Sequence, residues 1–253
     1  VTRVARVLAG FLALLLSLPV AAASLSGRDI VSRVESLLWG RTSEGNYQMR
    51  ITTPHWQRTL ELQVWMERPE KTFIRILAPA KEAGIGSLRI GNEMWNYLPK
   101  VERIIKIPPS MMLQPWMGSD FTNDDLVKES SIIDDYTHQL VAEEQQDGVG
   151  VYRIESIPKP EAAVVWGKLV YEVRREDLIP LRLSYYDERG RLIKVLSFSE
   201  VREMGGRTLP TRWEMRPIAK PRNSTVIRLR QVRFDLPIDA GIFTLRNLRR
   251  GGP

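Results

Sequence analysis

The hydrophobic pattern of this chain changes period twice. Between Ser26 and Gly40 the apolar residues Ile30, Val31, Val34, Leu37 and Leu38 recur at helical spacing. Ser26 stands where an N-cap belongs and Gly40 where a helix turns out, so the spacing predicts one amphipathic helix. Period two then takes over. In NYQMRIT, Tyr47, Met49 and Ile51 share one face while Gln48 and Arg50 share the other. In TLELQVWM, Leu60, Leu62, Val64 and Met66 alternate with Glu61, Gln63 and Trp65. KTFIRILAP is stopped by Pro79, SLRIGNEMWNYLP turns around Gly91 and Asn92, and RIIKIP adds a short strand. These segments predict successive antiparallel strands to about residue 107.

From 108 to 136 the alternation fails. The stretch IPPSMMLQPWMGSDFTNDDL sets Met111, Met112, Leu113, Trp116 and Met117 between prolines and a run of acids. Asn123 is placed to cap a short helix from about Asp124 through Leu126 and Val127. This predicts an excursion with one or two short helices lying across something. Strands resume at YTHQLVAEEQQDGVGVYRIESIPK, a hairpin turning at QQDG. Three more follow in KLVYEVRREDLIPLRLSYYDERGRLIKVLSFSEV, then RTLPTRWEMRP, STVIRLRQVRFD and a short IFTLRNL tail. With no repeat, low-complexity tract or linker, residues 24–253 are expected to form a single domain, mainly β: a large curved antiparallel sheet with few helices.

Residues 1–23 read differently. Arg3 and Arg6 precede an apolar run from Val7 to Leu18, and Ala21 to Ala23 supply a small-residue site. That order predicts a secretory signal peptide cleaved after about Ala23. The run is shorter than the roughly 20 residues of a membrane span. The mature chain is therefore expected outside the cytoplasm.

Composition narrows the chemistry. Of 253 residues 43% are hydrophobic and none is Cys, which excludes thiol nucleophiles and cysteine-bound zinc. The net charge of +7 falls to +5 without Arg3 and Arg6. It is spread as a solvated surface with a mild basic bias, suited to transient contact with an anionic membrane but not to nucleic acid. The two histidines, His55 in TPHWQR and His138 in DDYTHQL, are far apart in sequence and lack metal-ligand spacing. Asp120, Asp124 and Asp125 are candidates for acid-base work, yet turns and caps explain them as well. No GxSxG elbow or phosphate loop is present in the sequence. No cofactor is implied, and the absence of a nucleophile-base set argues against an enzyme.

The strands carry more large apolar side chains than one helix and one excursion cover. A second sheet, the sheet's own curvature or a ligand must cover the rest. Methionine is flexible and polarisable, so the Met-Trp run suits a surface that accommodates varied apolar shapes. It equally suits a plug.

Three blocks carry a resemblance: RILAPAKEAGIGSLRIGNEMWNYLPKVERIIKIPPSMMLQPWMGSDFTNDDLVKES, then AAVVWGKLVYEVRREDLIPLRLSYYDERG, then GGRTLPTRWEMRP. Through them the chain resembles the exported outer-membrane lipoprotein-sorting proteins, a branch of the LolA-like superfamily, over nearly the whole mature length. The resemblance implies an incomplete β-barrel whose helices close a hydrophobic cavity. It implies a periplasmic carrier of lipoprotein acyl chains or other lipids, working between an inner-membrane transporter and an outer-membrane acceptor. Trp65, Phe73, Met94, Trp95, Met111, Met112, Trp116 and Met117 are then the expected cavity lining or lid. Arg58, Arg103 and Lys106 are expected to meet a headgroup or partner. Arg50, Arg58 and Arg75 remain equal candidates for the family's functional arginine. Two competing functions are an accessory module binding a partner's apolar segment, and an envelope hydrolase using Asp120, Asp124 or Asp125.

Overall fold

A computed structural model of the chain describes residues 25–128, 132–162 and 164–250; the expected signal segment lies outside them. Helix α1 (Gly27–Trp39) starts at a capping box in which Ser26 and Asp29 satisfy each other's backbone N–H groups. Those bonds hold the Asp29 carboxyl below its usual range. Gly40, at φ 65°, ends the helix with its N–H on the Ser36 carbonyl, and Arg207 donates to that carbonyl and to the Leu37 carbonyl. Gly27 lies so close to β-strand backbone that a Cβ there would sit 2.8 Å from the Leu140 nitrogen.

The first meander is β1 (Thr42–Thr52), β2 (Gln57–Glu67), β3 (Lys71–Ala78), β4 (Gly86–Ile90), β5 (Glu93–Leu98) and β6 (Arg103–Lys106). After an excursion carrying α2 (Asn123–Lys128) and α3 (Ile132–Asp135), a second meander follows. It comprises β7 (Tyr136–Gln146), β8 (Val149–Pro158), β9 (Lys168–Arg174), β10 (Pro180–Tyr186), β11 (Leu192–Met204), β12 (Arg207–Pro217) and β13 (Ser224–Phe234). The β7–β8 turn is Asp147–Gly148, both at positive φ, the backbone that a two-residue hairpin requires. A 3-10 turn, Ala240–Phe243, and helix α4 (Leu245–Arg250) end the described chain.

All thirteen strands form one antiparallel sheet in the order β6-β5-β4-β3-β2-β1-β13-β12-β11-β10-β9-β8-β7. Strands β1 and β13 meet at its centre, and β6 and β7 are unjoined edges. The barrel is therefore incomplete. The excursion leaves edge strand β6, and its described residues 107–128 lie across the concave side of the sheet, where Trp116, Phe121 and Leu126 join the main core.

Alternation assigns the two faces. On the concave face Tyr47, Met49, Leu60, Leu62, Met66, Ile74 and Met94 join Leu183, Leu196, Trp213 and the buried side of α1 in the main core. Trp39 of α1 meets Trp213 edge-on, with ring centroids 4.9 Å apart. On the opposite face Trp65, Phe73, Leu88 and Tyr97 form a second cluster, capped by Phe243 and Leu248 of the C-terminal segment. Gly86 admits this cap, since a Cβ there would stand 2.8 Å from the Leu248 Cδ1.

The surplus of large strand side chains thus has a two-sided explanation. Helix α1, the excursion and curvature serve one face; the IFTLRNL tail, which is helical, serves the other.

Candidate functional site

The concave face and the segment crossing it enclose the candidate site. That segment is tied to the sheet by side chains spread along its length. Trp116 is buried and donates Nε1–H to the Ser87 Oγ at 3.0 Å. Arg58 donates to the Met117 carbonyl, next to an ion pair with Glu82 at 3.4 Å. Met117 occupies the left-handed region at φ 52°, a conformation costly for a non-glycine residue, so Arg58 grips the lid at its strained point. Asp120 accepts from the Thr225 hydroxyl at 2.7 Å, while that oxygen accepts from the Asp120 N–H at 2.9 Å. Burial raises the Asp120 pKa despite that bond. Thr122 and Asp125 form a reciprocal cap on α2, one residue earlier than the Asn123 cap expected from sequence. Asp125 also pairs with Lys194 of β11, and both side chains are almost wholly buried.

Beneath this lid lies an apolar cavity walled by Trp39, Tyr47, Met49, Leu62, Ile74 and Trp213, with Trp116, Phe121 and Leu126 as its cover. A water-sized sphere finds only about 60 Å³ of room in it. That holds a few waters and falls far short of an acyl chain.

A smaller cleft continues between α1 and β9–β11, lined by Trp39, Tyr171, Leu183, Tyr185 and Leu196, with Glu35 beside them. Glu35 is 4% exposed, and its carboxylate lies 3.4 Å from Arg68. Burial pushes its pKa up to about 7, with Arg68 pulling the other way. Folded protein therefore keeps this proton at pH values where the unfolded chain, near 4.5, has lost it. The resulting stability is full below pH 4.5 and is lost as pH rises through 7. The loss amounts to about 3 kcal/mol at most. Urea midpoints at pH 5 and pH 8 should differ accordingly, and Glu35→Gln should remove most of the difference. An unchanged pH slope in that variant would assign it to other groups.

The expected site residues separate into groups. Met94 and Trp116 belong to the main core on the concave face, and Met112 and Met117 pack against it half-buried. Met111 is exposed. Trp65, Phe73 and Trp95 lie on the opposite face, in the cluster under α4. Of the eight, Trp116 alone lines the apolar cavity. Among the basic residues, Arg58 is committed to the lid. Arg103 and Lys106 are exposed on edge strand β6, with Lys106 paired to Glu93 and set 5.7 Å from the Trp95 ring centroid. Of the three candidate arginines, Arg50 is exposed and Arg75 is buried under α4. Lys194, Glu35 and Phe121 were not singled out by sequence. Lys194 gave a signal, since LIKVLSF puts a lysine on the otherwise apolar inward face with Leu196 and Phe198.

His138 is held by Ser156 through Nδ1 at 2.7 Å, and burial lowers its pKa. His55 sits in the β1–β2 turn. Among the described residues no group of three or more His, Asp or Glu is arranged to hold a metal ion. No helix among them is long and apolar enough to cross a membrane.

A family model described as that of an uncharacterized protein matches residues 68–250. No curated protein matches. Among solved structures, a DUF1329 family protein from Desulfovibrio piger is 26% identical, with a TM-score of 0.80 over 88% of this chain and 97% of that one. A LolA superfamily protein from Nitrosomonas europaea is 22% identical, with a TM-score of 0.76 over 88% and 99%. A domain from Vibrio parahaemolyticus, assigned as an outer membrane lipoprotein-sorting protein, is 22% identical, with a TM-score of 0.77 over 88% and 98%. The fold is LolA-like.

Proposed function

This chain belongs to the family whose model spans residues 68–250, and we propose that it is a periplasmic carrier of acyl chains, borne by lipoproteins or by free lipids. It would be exported by residues 1–23 and act as a single domain between an inner-membrane transporter and an outer-membrane acceptor. One observation carries the reading. The segment from β6 to β7 fills an apolar, concave wall with Trp116, Phe121 and Leu126, and side-chain contacts tie it to the sheet. Lifting it removes no rung of the thirteen-strand ladder.

The closed cavity is too small for cargo, so loading requires the lid to move. Each methylene then buried contributes about 0.8 kcal/mol, and the returning apolar lid competes for the same wall. That competition is what allows release. Trp116, Met112, Met117 and Met94 are the expected residues that serve this role on the concave face. Arg103 and Lys106 on the exposed edge remain suited to a headgroup or a partner.

The test is native mass spectrometry of protein purified from the cell envelope, with lipid extraction from the same sample. A bound lipid or acylated peptide of defined mass is expected. A mass of protein alone, persisting after incubation with envelope lipids, would overturn the carrier and favour a partner-binding module.

A further inference from the structure

A buried lysine needs a reason. Lys194 projects from β11 into the concave face with its side chain 4% exposed, and Asp125, 1% exposed, meets it from the lid. The ammonium also faces two rings, 4.6 Å from the Trp166 centroid and 4.9 Å from that of Tyr185. Asp125 Oδ2 takes both the lysine and the Thr122 N–H, while Oδ1 has no hydrogen-bond partner.

Capping explains the Thr122 bond but not the lysine. A cap works equally well in water, and burying an ion pair is on balance a poor way to stabilise a fold. What the pair does provide is a fixed cation inside an apolar site, neutralised by a carboxylate that leaves with the lid. Neither side chain lines the two apolar clefts, but each has a neighbour that does. Leu126, next to Asp125, covers the first; Tyr185, the cross-strand partner of Lys194, lines the second.

We propose that Lys194 is the anion site of this cavity, and that Asp125 holds the place of an oxyanion head, carboxylate or phosphate, on an apolar chain. Such a ligand displaces the Asp125 carboxylate, takes over the ammonium between the two rings, and so couples head-group recognition to lid opening. The inference rests on the carrier reading and adds a head-group class to it.

The test uses the full chain and three probes of equal length: hexadecanoate, hexadecyl phosphate and hexadecanol. Binding is read by intrinsic tryptophan fluorescence below the concentrations at which the probes aggregate. The wild type is expected to hold at least one anion roughly tenfold or more tighter than the alcohol, and the preferred anion names the head. Asp125→Asn should widen that preference by freeing the cation. The double variant Lys194→Met/Asp125→Asn avoids a stranded charge and should hold hexadecanol as before with the preference gone. Should either variant fail to fold, the other decides. Equal binding of all three probes by the wild type, or a preference surviving in the double variant, would overturn the site and leave the carrier standing. Failure of every form to hold any probe would overturn both.

Discussion

Truncating Trp116 to alanine is expected to release the lid while the sheet stays folded. Trp116 is 2% exposed, forms part of the cavity cover and donates to Ser87. Removing so large a buried aromatic costs about 3–5 kcal/mol where the surroundings stay closed. A segment joined to the sheet mainly by side chains has only a fraction of the global stability to lose. The lid therefore opens before the full cost reaches the sheet, and the global loss is capped at the lid's own closing free energy. Amide hydrogen exchange separates these events. The N–H groups of Trp116, Asn123 and Asp124, bonded to the Phe121, Gln114 and Met112 carbonyls, should lose protection. Amides in β9–β12 should keep theirs. Uniform loss across the sheet would mean that the lid unfolds only with the whole molecule.

The second large effect belongs to the opposite face. Arg75 is 2% exposed and donates to the carbonyls of Gly84 at 2.7 Å, Asn247 at 3.1 Å and Leu248 at 3.0 Å. Burial lowers its pKa to about 10, so it remains charged at neutral pH. A six-residue helix such as α4 has no stability alone; Arg75 binds the negative end of its dipole and Leu248 seats it. Arg75→Met keeps much of the volume and strands three carbonyls. It should cost about 3–5 kcal/mol and detach the segment from Phe243 onward. Limited trypsin digestion would then cut at Arg246 or Arg249, which are exposed but held in place in the folded chain. If that segment stays as resistant as in the wild type, Leu248 and Phe243 hold it without the arginine.

The strands and α1 were legible because alternation and capping are local properties. Tyr47-Met49-Ile51 and Ser26 to Gly40 announce their structures within a few residues. The incomplete barrel came from resemblance, and the LolA-like fold agrees with it. The inward face was not legible. Trp65 and Met66 are neighbours in one strand, yet Trp65 is buried under α4 and Met66 in the main core. Each face of β2 has its own apolar cover, so period two marks alternation without saying which side is concave. The tail escaped for a related reason: IFTLRNL has too few residues to show a helical period, and the carbonyls near its end take their hydrogen bonds from Arg75, distant in sequence. The Asp125–Lys194 pair is of the same kind, made by tertiary structure alone.

The central seam has a consequence for how the chain acquires its structure. Strand β13 pairs with β1 from Ser43↔Phe234 to Thr52↔Ser224, but with its neighbour in sequence, β12, only from Arg212↔Arg228 to Met215↔Thr225. Its main partner is thus the earliest strand made. Two meanders of local hairpins form quickly, but the join between them must close nearly the whole chain into a loop. Until β13 is synthesised and threaded out, β1 waits with one side of its ladder bare, open to any passing strand. For this protein the slow and vulnerable moment of folding is the last one, and the edge at risk is the one that ends up at the centre.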